Sequence, residues 1–187
     1  MTRIISGRFR GRRLSVPKGT DIRPTTDRMR ERLFSILGNK RYPALAGAHV
    51  ADMFAGTGAL GLEALSRGAA HVTFVEKARG SLDCLRANIS ALGAEADTKI
   101  IMSDAAAVTS PAEPFDIIFM DPPYRQGLLR PTLDHLIATN WLKGETAIIC
   151  ELASDEAVDI PPRLEIVDDR QQGKQRIIIL MQASADK

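Results

Sequence analysis

Short apolar runs alternate with helix-like segments from Val50 onward, and this alternation limits the possible folds more than any other feature of the chain. Strands joined by helical crossovers form parallel sheets that are covered by helices on both faces. The pattern predicts an α/β fold with a doubly wound, mostly parallel sheet. The predicted strands cover residues 50–54, 71–76, 98–102, 116–120 and 146–151, and the predicted helices cover residues 58–67, 78–92 and 128–139.

Two more apolar runs, residues 164–168 and 176–181, lie too close together for a helical crossover. Antiparallel neighbours accept a short connection, whereas a parallel pair needs a dozen or more residues. We therefore expect seven strands, with an antiparallel strand at the C-terminal end of the sheet.

The basic residues are concentrated at the N-terminus. Residues 1–41 hold 12 Lys and Arg against 3 Asp and Glu, and residues 42–187 hold 13 against 20. A clustered basic surface gains affinity for nucleic acid because it releases counterions from phosphates.

Residues 3–17 predict a β-hairpin around a glycine turn, and a helix is predicted from about Arg28 to Leu37, with Thr26 or Asp27 as its cap. We expect an RNA-binding appendage at 1–41 and the α/β domain at 42–187. The candidate RNA contacts are Arg8, Arg10, Arg12, Arg13 and Arg23.

Composition excludes several classes of protein. The longest apolar runs are shorter than a membrane span, and no signal-peptide core is visible, so a soluble cytoplasmic protein is expected. Cys84 and Cys150 are isolated, and the three histidines are scattered, which predicts neither a disulfide framework nor a metal site.

A glycine-rich loop follows the first strand of the predicted sheet. Residues 56–61 match G-x-G-x-x-G, and Glu76 lies about twenty residues after Gly56. Taken alone, this pattern fits a dinucleotide site. Asp52 argues against one, because its carboxylate at the strand end would repel a pyrophosphate. S-adenosylmethionine, which carries a sulfonium and an ammonium and no phosphate, fits an acidic strand end better.

Acidic residues also follow the second and third strands, at Glu76 and Asp104. Ligands of open α/β sheets bind outside the carboxyl ends of the strands, where an acid accepts hydrogen bonds from ribose hydroxyls. Either residue could instead cap a helix. A shared ligand site explains the whole row of acids at once.

The turn Asp121-Pro122-Pro123-Tyr124 follows the fourth strand. Neither proline has an N–H, so the strand ends there with Asp121 at its tip. A carboxylate and free carbonyls accept hydrogen bonds from an amine, and a tyrosine face stacks on a flat base. The turn therefore predicts a site for a nucleobase amine, although it could also be a simple strand end with a packed tyrosine.

Several of these motifs resemble known families. Residues 52–61 together with 121–124 resemble the class I S-adenosylmethionine-dependent amino-methyltransferases. Residues 5–7, 11–14 and 23–31 are similar to the bacterial 16S rRNA guanine-N2 methyltransferases of RsmD type. The resemblance implies a Rossmann-like fold and methylation of one guanine N2 amine in 16S rRNA, within a small ribosomal subunit or an assembly intermediate. It implies no metal and no membrane partner, and we expect a monomer.

The resemblance also implies a role for each matching residue. The methionine half of the cofactor is expected against Asp52, Phe54, Gly56, Gly58 and Gly61, its ribose at Glu76 and its adenine at Asp104. The catalytic turn consists of Asp121, Pro122, Pro123 and Tyr124, in which Asp121 and the Pro122 carbonyl hold the amine and Tyr124 stacks on a flipped base.

Other functions remain open on the sequence alone. A DNA adenine-N6 methyltransferase or a protein glutamine methyltransferase would use the same amine-holding turn. An NAD-dependent oxidoreductase would explain the glycines but leaves Asp52 and Asp121 without a role. A non-catalytic RNA-binding module would explain the arginines but leaves the row of acids unexplained.

Overall fold

The computed structural model describes residues 2–17 and 27–183. Its elements are β1 (Thr2–Arg3), β2 (Arg13–Leu14), α1 (Asp27–Leu37), β3 (His49–Asp52), α2 (Ala59–Ser66), β4 (His71–Glu76), α3 (Arg79–Leu92), a 3-10 turn (Glu95–Asp97), β5 (Thr98–Met102), β6 (Phe115–Met120), α4 (Leu129–Ala138), β7 (Leu142–Ala153), β8 (Leu164–Gln172) and β9 (Gln175–Gln182). No helix among these residues is long and apolar enough to cross a membrane.

The main sheet has seven strands in the order β5-β4-β3-β6-β7-β9-β8. Strands β3 to β7 are parallel, and β9 runs antiparallel to both of its neighbours, β7 and β8. This confirms the predicted seven-stranded, mostly parallel α/β sheet with an antiparallel strand at its C-terminal end. The strand order reverses between β3 and β6. We call the edge where β3 to β7 end the carboxyl edge, and the edge where they begin the amino edge.

Each face of the sheet has its own hydrophobic core, because successive strand residues point to opposite sides. In β6, Phe119 packs with α1, α2 and α3, whereas Ile118 and Met120 pack with α4. On the α4 face the buried Trp141 ring stacks on Phe115 with centroids 5.0 Å apart. The rigid sheet between these two layers fixes where its strand ends lie.

The N-terminal hairpin is shorter than the pattern predicted. β1 and β2 pair antiparallel over two residues each, and the chain between them consists of bends and turns. Gly7 turns with φ +82° directly against the end of α2, where a Cβ at this position would lie 1.8 Å from the Ser66 carbonyl oxygen. Glycine is therefore required at this docking point.

A buried carboxyl group holds the hairpin to the domain. Glu63 on α2 is fully buried and accepts the backbone N–H groups of Ile5 at 2.7 Å and Ser6 at 3.0 Å. Ile4 and Leu14 belong to the same hydrophobic cluster as the strand and helix residues of the α1–α3 face. The first residues of the chain thus pack into the main core and do not form a core of their own.

The helix predicted near the N-terminus is confirmed as α1, which starts at Asp27 instead of Arg28. Asp27 lies in its first turn and accepts hydrogen bonds from Arg3 and Arg30. The alternative cap, Thr26, and the candidate RNA contact Arg23 lie outside the described residues.

Candidate functional site

Four acidic residues follow adjacent strands of the sheet at its carboxyl edge. Asp104 comes after β5, Glu76 ends β4, Asp52 ends β3 and Asp121 comes after β6, and these strands are neighbours in that order. Adjacent strands lie about 4.8 Å apart, so the row is continuous. The strand order reverses between Asp52 and Asp121, which is the place where open α/β sheets bind their ligands.

The glycine loop turns sharply between β3 and α2. Gly56 has φ +54° and Gly58 has φ +84°, a region that favours glycine. A Cβ on Gly58 would lie 2.4 Å from Leu85 Cδ1. Among the described residues, and apart from its neighbours in sequence, a Cβ on Gly56 would meet only the Phe54 carbonyl oxygen, at 4.0 Å. Gly58 therefore allows the loop to pack on α3, and Gly56 leaves open space beside the loop.

The third glycine of the motif has a packing role. A Cβ on Gly61 would lie 2.3 Å from Phe74 Cε1 and 2.9 Å from Val72 Cγ1, so α2 approaches β4 only because this residue has no side chain. Its N–H donates to Asp52 Oδ2 at 3.0 Å. The structure thus places Gly61 behind the loop, between helix and sheet.

Glu76 ties the glycine loop to the end of β4. Its Oε2 accepts the Gly56 N–H at 2.8 Å, and its Oε1 accepts the N–H groups of Lys77 at 2.8 Å and Ala78 at 2.7 Å. The side chain is half-buried. A carboxylate has about four acceptor positions, so one stays available to a ligand hydroxyl.

Asp104 forms an ion pair with Lys77, a residue that was not predicted to belong to the site. Its Oδ2 lies 2.8 Å from Lys77 Nζ, and its Oδ1 accepts the Ala106 N–H at 3.0 Å. The hydrogen bond from Lys77 keeps the pKa of Asp104 below its usual range. An adenine amine at this position would share the carboxylate with Lys77.

Asp52 is the most deeply buried acid of the row, with 1% of its surface exposed. Burial raises the pKa of Asp52 to about 7, the Gly61 N–H opposes this shift, and the nearby Glu76 charge adds to it. A cation placed beside Asp52 would favour its ionised form.

The raised pKa of Asp52 predicts a pH-dependent stability. The folded state holds the proton more tightly than the unfolded chain, so this stabilising contribution is full below about pH 4 and is lost as the pH rises through 7. We expect the unfolding free energy of the wild type to fall more steeply between about pH 4 and 7 than that of Asp52→Asn, which cannot ionise and keeps an acceptor for Gly61. Urea denaturation across this range measures the difference, and parallel profiles would contradict it.

The turn after β6 holds a tyrosine by its hydroxyl. Pro122 is buried, Pro123 is exposed, and Tyr124 is half-buried with its hydroxyl donating to Glu151 Oε1 at 3.1 Å. Gln175 Nε2 donates to the same oxygen at 2.6 Å. Burial, together with the charges of Glu151 and Asp121, raises the pKa of Tyr124 to about 12, so the hydroxyl keeps its proton at neutral pH.

The sequence reasoning missed Glu151 and Gln175. The only local signal for Glu151 is that an acid ends the buried apolar run 147–150, as Glu76 ends β4. Gln175 has no such signal, because it reaches the site only through the antiparallel pairing of β9 with β7.

The candidate RNA-binding arginines Arg8, Arg10, Arg12 and Arg13 are all exposed. The Arg8 guanidinium lies 2.7 Å from Asp97, and Arg12 donates to the Ala91 carbonyl. Asp97 directly precedes β5 at the amino edge, and five residues at about 3.3 Å each separate it from the carboxyl edge. The structure therefore places the Arg8 guanidinium at the amino edge, roughly 16 Å along β5 from the row of acids.

One buried side chain links the N-terminal segment to the glycine loop. Asn88 on α3 is 2% exposed; its Oδ1 accepts the Ser15 N–H at 2.7 Å, and its Nδ2 donates to the carbonyls of Ser15 at 3.1 Å and Thr57 at 2.9 Å. The N-terminal segment is thus linked through Asn88 to the glycine loop, a contact that sequence patterns do not reveal.

Known proteins are similar to this chain in sequence and in fold. The family described as conserved hypothetical protein 95 matches residues 2–181. The Escherichia coli protein named ribosomal RNA small subunit methyltransferase D is 41% identical over 161 residues, which cover 86% of this chain and 79% of that protein. Its Haemophilus influenzae namesake is 33% identical over 175 residues, covering 91% and 89%. The solved Escherichia coli structure of yhhF superimposes with a TM-score of 0.83 at 38% identity, covering 96% of this chain and 97% of that one.

Proposed function

The chain belongs to the RsmD-type methyltransferase family, which is described as conserved hypothetical protein 95, and on this premise we propose that it methylates RNA of the small ribosomal subunit. The proposed methyl donor is S-adenosylmethionine, and the proposed acceptor is the exocyclic N2 amine of one guanine in 16S rRNA. The relatives named ribosomal RNA small subunit methyltransferase D support the substrate class.

The observation that carries this proposal is the division of the carboxyl edge into two halves. Asp52, Glu76 and Asp104 follow β3, β4 and β5 on one side, and the turn Asp121–Tyr124 follows β6 on the other. Asp52 and Asp121 follow neighbouring strands. A donor bound on the first half and a base bound on the second would therefore meet at the switch point.

The first half fits S-adenosylmethionine by its chemistry. Glu76 keeps acceptor capacity for a ribose hydroxyl, the Asp104 carboxylate could accept a hydrogen bond from the adenine amine, and the space beside Gly56 allows close approach to the backbone. Asp52 and the half-buried Phe54 stand at the start of the loop, where the methionine half would lie. When bound, the cofactor supplies an electrophilic methyl group on its sulfonium.

On the acceptor side, the chain orients a weakly nucleophilic amine. Asp121 and the Pro122 carbonyl would accept the two N–H bonds, which turns the nitrogen lone pair toward the first half of the site. Orientation of this kind removes a large part of a bimolecular barrier. The target base must leave its stack, which costs least in a loop or single strand, and Tyr124 would then support it by stacking. Asp121 or water takes the proton as the bond forms.

Methyl-transfer assays with labelled S-adenosylmethionine test the proposal directly. The substrates are small ribosomal subunits from cells that lack this gene, naked 16S rRNA, duplex DNA and bulk protein. We expect label in 16S rRNA, recovered as N2-methylguanosine at one position by mass spectrometry. Label that appears only in adenine of DNA or in glutamine of protein would overturn the proposal, and tight NAD binding without adenosylmethionine binding would exclude this enzyme class.

The exposed arginines predict a salt-dependent RNA affinity. Changing Arg8, Arg10, Arg12 and Arg13 together to Gln should weaken binding to RNA or subunits and lower the salt slope by about 0.7 to 0.9 for each phosphate that is no longer neutralised. Among the described residues, Arg8 and Arg12 already have side-chain contacts, at Asp97 and the Ala91 carbonyl, whereas Arg10 and Arg13 have none, so Arg10→Gln with Arg13→Gln should account for a larger share of the decrease in affinity. Filter binding from low to high salt measures both quantities.

A control with the same kind of charge change replaces Arg130, which is half-buried on α4, and Arg170, which is exposed on β8. This control should keep the wild-type salt slope, and every variant should keep its affinity for S-adenosylmethionine. An unchanged RNA affinity and slope in the quadruple variant would remove these arginines from the RNA-binding surface.

A further inference from the structure

A buried carboxyl group holds the catalytic turn from the neighbouring strand. Glu151 lies in β7 with 2% of its surface exposed, and its Oε1 accepts the hydroxyl of Tyr124 at 3.1 Å. We propose that Glu151 is a positioning residue for methyl transfer, which holds the Tyr124 hydroxyl and thereby fixes where the ring lies, so that the ring can stack on the base held by Asp121. The inference rests on the proposed function, because it assumes that a flat base is the acceptor.

Three strands converge to make this anchor. Tyr124 follows β6, Glu151 belongs to β7, and Gln175 begins β9 opposite Ala153 of β7. Gln175 is 8% exposed and donates to Glu151 Oε1 at 2.6 Å, so two donors hold that oxygen in place. The position of the anchor is set by the rigid sheet and not by the loop that carries Tyr124.

Beyond Tyr124 the loop is held at Arg125, whose N–H donates to Glu156 Oε1 at 3.1 Å and whose guanidinium pairs with Asp155 at 2.8 Å; neither of these contacts involves the ring. After Tyr124 the chain turns at Arg125, with φ +60°, and again at Gly127, with φ +65°. The residues from Arg125 to Gly127 are exposed. The pKa of Tyr124 is raised to about 12, so its hydroxyl is protonated at neutral pH and can donate to Glu151, as the 3.1 Å distance shows. A ring fixed before the base arrives loses less side-chain entropy when stacking begins.

The anchor should affect the transfer step more than RNA affinity. Phosphate contacts supply most of the binding energy of such complexes and lie outside this turn. A ring that is free to rotate leaves the bound base in a wider range of orientations, which lowers the rate of reaction within the complex. We therefore expect a fall in kcat with little change in the KM for RNA.

A double-mutant cycle tests the inference by single-turnover methyl transfer. Tyr124→Phe removes the hydroxyl but keeps the ring, and Glu151→Leu removes the acceptor. If both changes act by removing the same hydrogen bond, each should lower the rate roughly 2- to 10-fold. The double variant should then be no slower than either single variant. Rate reductions that multiply in the double variant, or a Tyr124→Phe enzyme with the wild-type rate, would overturn the inference.

Two further variants separate positioning from general stability. Glu151→Gln keeps an acceptor oxygen and should restore most of the rate that Glu151→Leu loses, whereas Gln175→Met leaves the Tyr124 to Glu151 bond in place and should slow transfer less than Glu151→Leu. Equal rates for Glu151→Gln and Glu151→Leu would contradict a role through the hydrogen bond. If Glu151→Leu does not fold, the rate of Tyr124→Phe alone decides.

A spectroscopic measurement detects the contact between Tyr124 and Glu151 independently of enzyme activity. The chain contains two tyrosines, Tyr42 and Tyr124, so fluorotyrosine labelling gives two 19F resonances, which Tyr42→Phe assigns. Loss of the Glu151 charge in Glu151→Gln should lower the pKa of Tyr124 without changing that of Tyr42. An unchanged pKa of Tyr124 would count against the contact.

The failure of this inference can be distinguished from the failure of the proposed function. If the wild type methylates no RNA, the proposed function fails. If the wild type is active and all variants are equally active, only the inference about Glu151 fails.

Discussion

Asp121→Ala should lower the single-turnover rate of methyl transfer by about 100- to 1,000-fold, the usual cost of removing one preorganised polar group from an active site. Asp121 is expected to orient the acceptor amine, and a methyl side chain cannot accept its N–H. The affinity for S-adenosylmethionine should change far less, because the cofactor is expected on the other side of the switch point, at β3, β4 and β5. Rapid quenching with saturating enzyme measures the rate, and calorimetry measures the affinity.

Asp121→Asn separates charge from position. The amide keeps one acceptor oxygen but loses the negative charge, so an intermediate rate would show that orientation supplies part of the effect. Asp155→Ala is a matched control near the same loop, since Asp155 is exposed and pairs with Arg125 at 2.8 Å outside the row of acids. We expect Asp155→Ala to transfer methyl groups at nearly the wild-type rate. A wild-type rate in Asp121→Ala would remove Asp121 from catalysis.

The strands of the sheet were predictable where an apolar run has clear ends. β4 and β5 have the predicted bounds because turn or polar residues stop both runs. β7 begins at Leu142, four residues before the predicted start, because Leu142 pairs with Phe115 beyond an irregularity in the β6–β7 register. The exposed residues 143–145 that bridge this gap have no strand-like alternation. Tertiary pairing extends β7 where the local pattern does not.

The row of acids was predictable for a topological reason. Parallel strands end at one edge, so Asp52, Glu76 and Asp104 had to meet once the strands were identified. The partners of these residues are different, because the contacts of Lys77, Glu151 and Asn88 span 24 to 73 residues of sequence and depend on side-chain packing. The position of the arginines could not be predicted from the sequence either, because it depends on how the hairpin packs on Glu63.

Glu76→Ala should weaken S-adenosylmethionine binding by about 1–3 kcal/mol, or roughly 5- to 150-fold, because buried ribose hydroxyls would lose their acceptor. Glu76→Ala should also weaken cofactor binding in a second way. Glu76 also accepts the Gly56 N–H at 2.8 Å, so the variant loosens the glycine loop on which the methionine half is expected. Both effects act on cofactor affinity, which calorimetry measures in the absence of RNA.

The loss of the ribose acceptor and the loosening of the glycine loop can be distinguished by comparing two ligands. If Glu76 accepts the ribose hydroxyls, the 2′-deoxy analogue of S-adenosylmethionine should lose less affinity than the parent compound on going from wild type to Glu76→Ala. A decrease that comes only from the loosened loop would be equal for both ligands. Asp83→Ala makes the same charge change on the exposed face of α3 and should leave binding unchanged. Wild-type affinity in a folded Glu76→Ala protein would remove Glu76 from the cofactor site, and the ribose would then have to be bound by other residues of the carboxyl edge.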